Sequence, residues 1–135
     1  YGLFKDLGFF RTMTFILAKE NTLTAIREAL EARRTLGYCG GNIIGEEKLL
    51  QDLFYASTRS KLVSEDSKGR CTYMVTNLSS IPYTLYMGKG SYELPAFGSM
   101  TIRFKAKDGI PVDPILRVGN MWREDYKNIK IQLQD

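Results

Sequence analysis

Histidine is absent from all 135 residues. Without imidazole, the chain by itself has neither the commonest metal ligand nor the side chain that most often moves protons near neutral pH. Nor does any nucleophile stand beside a recognisable base. The two cysteines, Cys39 and Cys71, form no CxxC pair, which argues against a zinc or thioredoxin-like site. A disulfide between them would have to join the two halves of the chain, and two buried thiols are the expected state. No apolar run approaches the ~20 residues of a membrane span. The basic stretch and small-residue cleavage site of a signal peptide are also missing. The first residue is Tyr1 rather than methionine, which reads as a processed product or an excised piece.

The remaining composition is that of an ordinary globular chain, with 44% hydrophobic and 25% charged residues. Its length suits one domain or two small ones. The net charge of +4 is unevenly placed. Residues 1–58 hold seven basic and seven acidic side chains, and residues 59–135 hold twelve and eight. From Lys61 to Lys130 the basic residues alternate with others along expected strands. This pattern fits a solvated sheet face better than the dense stripe of a nucleic-acid surface.

The period of the pattern changes along the chain. Residues 12–18 form a short apolar run of the kind covered on both faces in a parallel sheet. Asn21 is the expected N-cap of a helix with Leu23, Ile26, Leu30 and Arg33 on one face and Ala29 beside them. Residues 35–39 read as a second strand, broken by Gly40-Gly41. A second helix follows Gly45, with Leu49, Leu50, Leu53 and Phe54 as its stripe. This strand, helix, strand, helix order is that of a βαβ unit. Polar residues collect over 57–68 and suggest a domain boundary. Beyond it, short alternating runs with Gly, Pro and Asn punctuation (71–76, 83–87, 92–94, 99–105, 115–118 and 128–133) suggest an antiparallel sandwich. The expected fold class is therefore α+β: a βαβα piece over 1–58, then an immunoglobulin-like β-sandwich over 59–135.

The stretch Met13-Thr14-Phe15-Ile16-Leu17-Ala18-Lys19-Glu20-Asn21-Thr22, followed by Ile26-Arg27-Glu28-Ala29-Leu30-Glu31-Ala32-Arg33-Arg34-Thr35, resembles the C-terminal end of PHP-domain phosphoesterases, the superfamily of polymerases and histidinol phosphatases. Gly45-Glu46-Glu47-Lys48-Leu49-Leu50 is similar to members that carry a β-sandwich tail. The resemblance covers about 45 residues. It implies a distorted α/β barrel that hydrolyses phosphate esters with divalent zinc, manganese or iron held by imidazoles and carboxylates. None of those ligand motifs occurs here. The resemblance thus implies the C-terminal, non-catalytic portion of such an enzyme: no catalytic or metal residue of its own, the rest of the parent as partner, and a tail acting as cap or docking module. Such tails often sit on exported enzymes, which points to an extracytoplasmic parent.

Barrel active sites lie at the C-terminal ends of strands. On that rule Lys19, Glu20 and Asn42 face the active side, with a solvated pair on a loop as the plainer reading of Lys19 and Glu20. Arg11 falls at the opposite end of its strand and takes no phosphate role. Gly40-Gly41 can cradle a phosphate with its amides or simply end a strand, and dipole placement accounts for Glu46 and Glu47. In the β-rich half, Tyr83, Tyr86, Tyr92 and Trp122 are candidate surface aromatics for carbohydrate or protein, since flat rings offer area at small entropic cost. By alternation Tyr83 and Leu85 share one sheet face, and Thr84 and Tyr86 the other. Part of the set is then core. Asn77-Leu78-Ser79 fits a glycosylation sequon, with a plain turn as the simpler reading. The alternative to the phosphoesterase reading is a non-enzymatic β-sandwich binding module. No membrane partner is expected, and nucleic acid is disfavoured.

Overall fold

The computed structural model describes residues 13–135; Arg11 and Thr12, the start of the expected first strand, lie outside them. Among the described residues the chain is mostly β-sheet with two helices, an α+β mix. The elements run β1 (Met13–Ile16), α1 (Leu23–Glu31), β2 (Thr35–Cys39), β3 (Asn42–Ile44), α2 (Glu47–Ser57), β4 (Thr58–Glu65), β5 (Cys71–Asn77), β6 (Tyr83–Met87), β7 (Gly90–Leu94), β8 (Ser99–Phe104), β9 (Ala106–Lys107), β10 (Ile110–Pro111), β11 (Ile115–Trp122) and β12 (Asn128–Gln132).

The chain divides into two compact units. The first holds 13–53 and returns over Asn120–Ile129, and the second holds Phe54–Gly119 and Lys130–Asp135. In the first unit β1 pairs with β2, Ile16 opposite Thr35 and Met13 opposite Tyr38. The pairing is antiparallel, which corrects the expected parallel βαβ crossover. Hydrophobic periodicity identifies a strand but carries no information on its direction. β2 and β3 form a hairpin, and β3 runs parallel to the end of β11, with Ile43 opposite Met121 and Ile44 opposite Trp122. Ala29, Leu36, Ile43, Leu49, Leu50, Met121 and Ile129 are buried here.

Helix α1 starts one residue later than expected. Thr22, not Asn21, is the N-cap, and its hydroxyl accepts from the Ala25 amide at 3.2 Å. The helix ends on a left-handed Arg33 (φ 59). The Arg33 amide donates to Leu30 O at 3.1 Å and the Arg34 amide to Ala29 O at 2.9 Å, the paired bonds of a Schellman stop. Arg33 is therefore an exposed residue that terminates the helix. Leu23 and Leu30 are also exposed, so Ala29 is the buried residue of this helix.

In the second unit β4, β5 and β8 form an antiparallel sheet. β7, β6 and the first part of β11 form another, with Val118 opposite Leu85 and Tyr83 opposite Leu94. The polar stretch read as a domain boundary is largely strand β4. Its Arg59 and Lys61, and a register shift between Leu62 and Ser64, are devices that blunt a sheet edge. They are also what made the segment read as a boundary. The core holds Phe54, Val75, Tyr83, Leu85, Leu94, Ile102, Phe104, Leu116, Val118 and Ile131. Both cysteines are free. Cys71 is buried, its thiol pKa pushed up by desolvation, whereas Cys39 is exposed, against the expectation of two buried thiols.

Candidate functional site

The β2–β3 hairpin builds the most distinctive surface of the first unit. Gly40 and Gly41 both adopt positive φ (58 and 85), as a two-residue hairpin turn that matches strand twist requires. The Gly41 carbonyl accepts from Asn120 Nδ2 at 3.2 Å, which ties the hairpin tip to β11. Beside it, the Trp122 indole N–H donates to Asn42 Oδ1 at 2.9 Å. Two residues selected from the sequence for unrelated reasons are thus direct partners. Around them lies a depression of about 720 Å³, lined by Cys39, Asn42, Ile44, Trp122, Arg123, Glu124 and Tyr126.

Sequence reasoning missed Tyr126. It sits in the β11–β12 turn, closed by Arg123 N to Lys127 O at 2.8 Å and Tyr126 N to Arg123 O at 3.0 Å. It is 88% exposed with φ 64. The Asp125-Tyr126 dipeptide lacks the Asn or Gly that usually marks such a turn, so nothing local signalled it. Arg123 reaches Glu47 at 3.8 Å and Asp125 at 2.5 Å. Glu47 is thereby an ion-pair partner at the start of α2.

Lys19 and Glu20 are exposed in the bend after β1. Because β1 and β2 are antiparallel, this bend adjoins the start of β2, whereas Asn42 follows the end of β2. The three residues expected on one active side therefore lie at opposite ends of the β1–β2 pair. Near the bend, Arg34 donates Nε to Leu17 O at 3.0 Å and grips Glu28 with both outer nitrogens. That grip, aided by the charges of Arg34 and Lys19, holds the Glu28 carboxyl below the usual range.

The four aromatics do not form one platform. Tyr83 is fully buried, which corrects its place among the surface aromatics. Its hydroxyl is 2.7 Å from Ser57 Oγ, its ring packs edge-on against Phe54 at 5.1 Å, and burial pushes its pKa up. Tyr92 stands opposite Leu85 and so shares its sheet face, whereas Tyr86 is on the other face with Ser91. The Tyr86 ring lies 4.4 Å from the Arg117 guanidinium, a cation–π contact. Trp122 belongs to the first unit.

The sequon residue Asn77 is 1% exposed. Its Nδ2 donates to Ile81 O at 2.6 Å and Pro95 O at 3.2 Å, while Oδ1 accepts from the Ser79 amide at 3.0 Å and hydroxyl at 2.8 Å. It organises a turn and is closed to a glycan. Among the described residues no three His, Cys, Asp or Glu side chains converge to hold a metal ion, so they do not fit the metal centre that the family resemblance implies. No described helix is long and apolar enough to cross a membrane.

No protein-family model matches the chain, and no curated protein does. A solved structure does. It is a two-domain protein from Bacteroides vulgatus containing a predicted PHP-like metal-dependent phosphoesterase, 31% identical in sequence, with a TM-score of 0.79. The match covers 96% of this chain and 40% of that one. The chain thus spans less than half the length of the protein it resembles, and the likeness extends well beyond the α/β stretch recognised from sequence.

Proposed function

We propose that this chain is the C-terminal, non-catalytic portion of a PHP-type metal-dependent phosphoesterase, with residues 1–58 the end of its barrel and residues 59–135 an immunoglobulin-like accessory domain that lends the segment Asn120–Ile129 to the first compact unit. The observation that carries this reading is the 31% identity to a two-domain PHP-like protein over nearly the whole chain. A feature of the first unit supports it. Strand β1 has one described neighbour strand, and Met13 and Ile16 on it are largely exposed. A first unit that borrows cover from further chain would show this. On this reading the parent's remaining domain supplies the ligands for zinc, manganese or iron and the hydrolytic chemistry, and this chain caps or docks it. On the same reading the parent acts outside the cytoplasm.

The test is the intact mass and metal content of the native protein from its source. A larger parent with stoichiometric divalent metal and phosphoesterase activity is the expected result. A native product of this size that binds no metal and joins no larger partner overturns it.

A further inference from the structure

We propose that the depression between the β2–β3 hairpin and the β11–β12 turn is a binding site for an uncharged carbohydrate, with Trp122 and Tyr126 as its stacking rings. This site is independent of the phosphoesterase reading. Its volume, about 720 Å³, lies in the range of small-ligand sites. Ile44, Trp122 and Tyr126 supply apolar surface to its lining, and Asn42, Arg123 and Glu124 supply polar groups, a composition that can fix a small ligand by its faces and its edge.

Three observations specify the ligand. First, the Trp122 N–H is already used on Asn42 Oδ1. The bond fixes the indole, and the ring is left to act by its surface. Second, Tyr126 is displayed at 88% exposure from a left-handed backbone position that glycine or asparagine would occupy more easily. Backbone strain of this kind concentrates at binding and catalytic sites. Third, the charges disfavour an anionic ligand. Arg123 is neutralised by Glu47 and Asp125, which leaves the Glu124 carboxylate to accept hydrogen bonds and to repel phosphate. Asn42 Nδ2 makes a long 3.4 Å contact to Gly40 O and retains a proton for a ligand oxygen. A pyranose ring meets all three conditions: an apolar face for the aromatic rings, hydroxyls for Glu124 and Asn42, and no negative charge.

Trp122 is the one tryptophan in the chain, so its emission reports on this site alone. The chain is titrated with glucose, galactose and N-acetylglucosamine and their β-linked trimers, and with adenine as a flat, uncharged molecule that is not a sugar. The expected result is a saturable change in Trp122 emission with at least one sugar. Tyr126→Gly should weaken that response about tenfold, the scale of one lost stacking ring. The same variant should melt no lower than the parent chain, because glycine suits φ 64. No saturable change with any sugar up to its solubility overturns the proposal. So does a response to adenine alone, or sugar binding unaltered in Tyr126→Gly.

Discussion

The two units meet the demands of burial differently. In the second, Asn77 and Tyr83 are almost wholly withdrawn from water, and their polar atoms find partners. Its edge strand β4 carries Arg59, Lys61 and a register shift. In the first, Leu23 (73% exposed), Leu30, Met13 and Ile16 stay in contact with solvent, and β1 has neither charge nor irregularity to blunt its edge. Exposed apolar residues occur in both units, Phe97 (71% exposed) and Ile110 (66%) in the second, so the difference between the units lies in their edge strands, charged and irregular in β4 and bare in β1. Substitutions in the second unit should therefore reach the global unfolding transition, and those in the first should act more locally.

The sharpest break is Asn77→Asp. A carboxylate there would face the Ile81 and Pro95 carbonyls without the protons that now bridge to them. The expected loss is about 3–5 kcal/mol, as for an uncompensated buried charge. Urea unfolding measures it, and a loss below that of a surface substitution would contradict the burial described. Next is Gly69→Ala in the β4–β5 turn. Gly69 has φ 80, and an added Cβ would come 2.5 Å from the Gly109 carbonyl oxygen. A cost of about 2 kcal/mol or more is expected from the left-handed backbone and the overlap together. Tyr83→Phe keeps the ring against Phe54 and removes only the hydroxyl bonded to Ser57, so roughly 1 kcal/mol is expected in the same assay.

How far the sequence revealed these features follows from the physics of each. β2 and β6 fall on the expected residues, because alternation and turn glycines bound them. β4 was hidden, since an edge strand defended by charge looks like a domain boundary. The direction of β2 against β1 was hidden as well, and with it went the common face of Lys19, Glu20 and Asn42. Asn42 and Trp122 stood out in the sequence, but for separate roles, an active-side loop residue and a surface aromatic. Their meeting across 80 positions was not legible, because it depends on the parallel β3–β11 pairing.

Acid offers a finer comparison, with one depressed carboxyl in each unit. Asp66 is held below its usual pKa chiefly by the Arg70 amide, and also by the Arg70 side chain and the Lys68 amide. Glu28 is held down chiefly by Arg34. In both, the folded value lies below the unfolded one. Each therefore contributes stability that is fully present above the ordinary carboxylate range and is lost as pH falls through the depressed value. Asp66→Asn should flatten the acid limb of global unfolding. Glu28→Gln should alter amide exchange near Leu17 and Arg34 with little effect on the global midpoint. Both effects should shrink in high salt, because the groups are exposed.

The smallest effect expected is a gain. Arg33 ends α1 at φ 59, where a side chain costs about 1 kcal/mol and glycine costs little. Its amide, not its side chain, makes the terminating bond to Leu30 O. Arg33→Gly keeps that bond and relieves the backbone, while the unfolded chain gains freedom that offsets part of the benefit. The net gain should be ~0.5 kcal/mol or less, seen as slower hydrogen exchange at the Arg33 and Arg34 amides. If the first unit opens separately from the second, this local protection should rise while the global melting temperature stays put. If both move together, the two units unfold as one, and the contrast drawn from their exposed and buried residues is one of surface and not of stability.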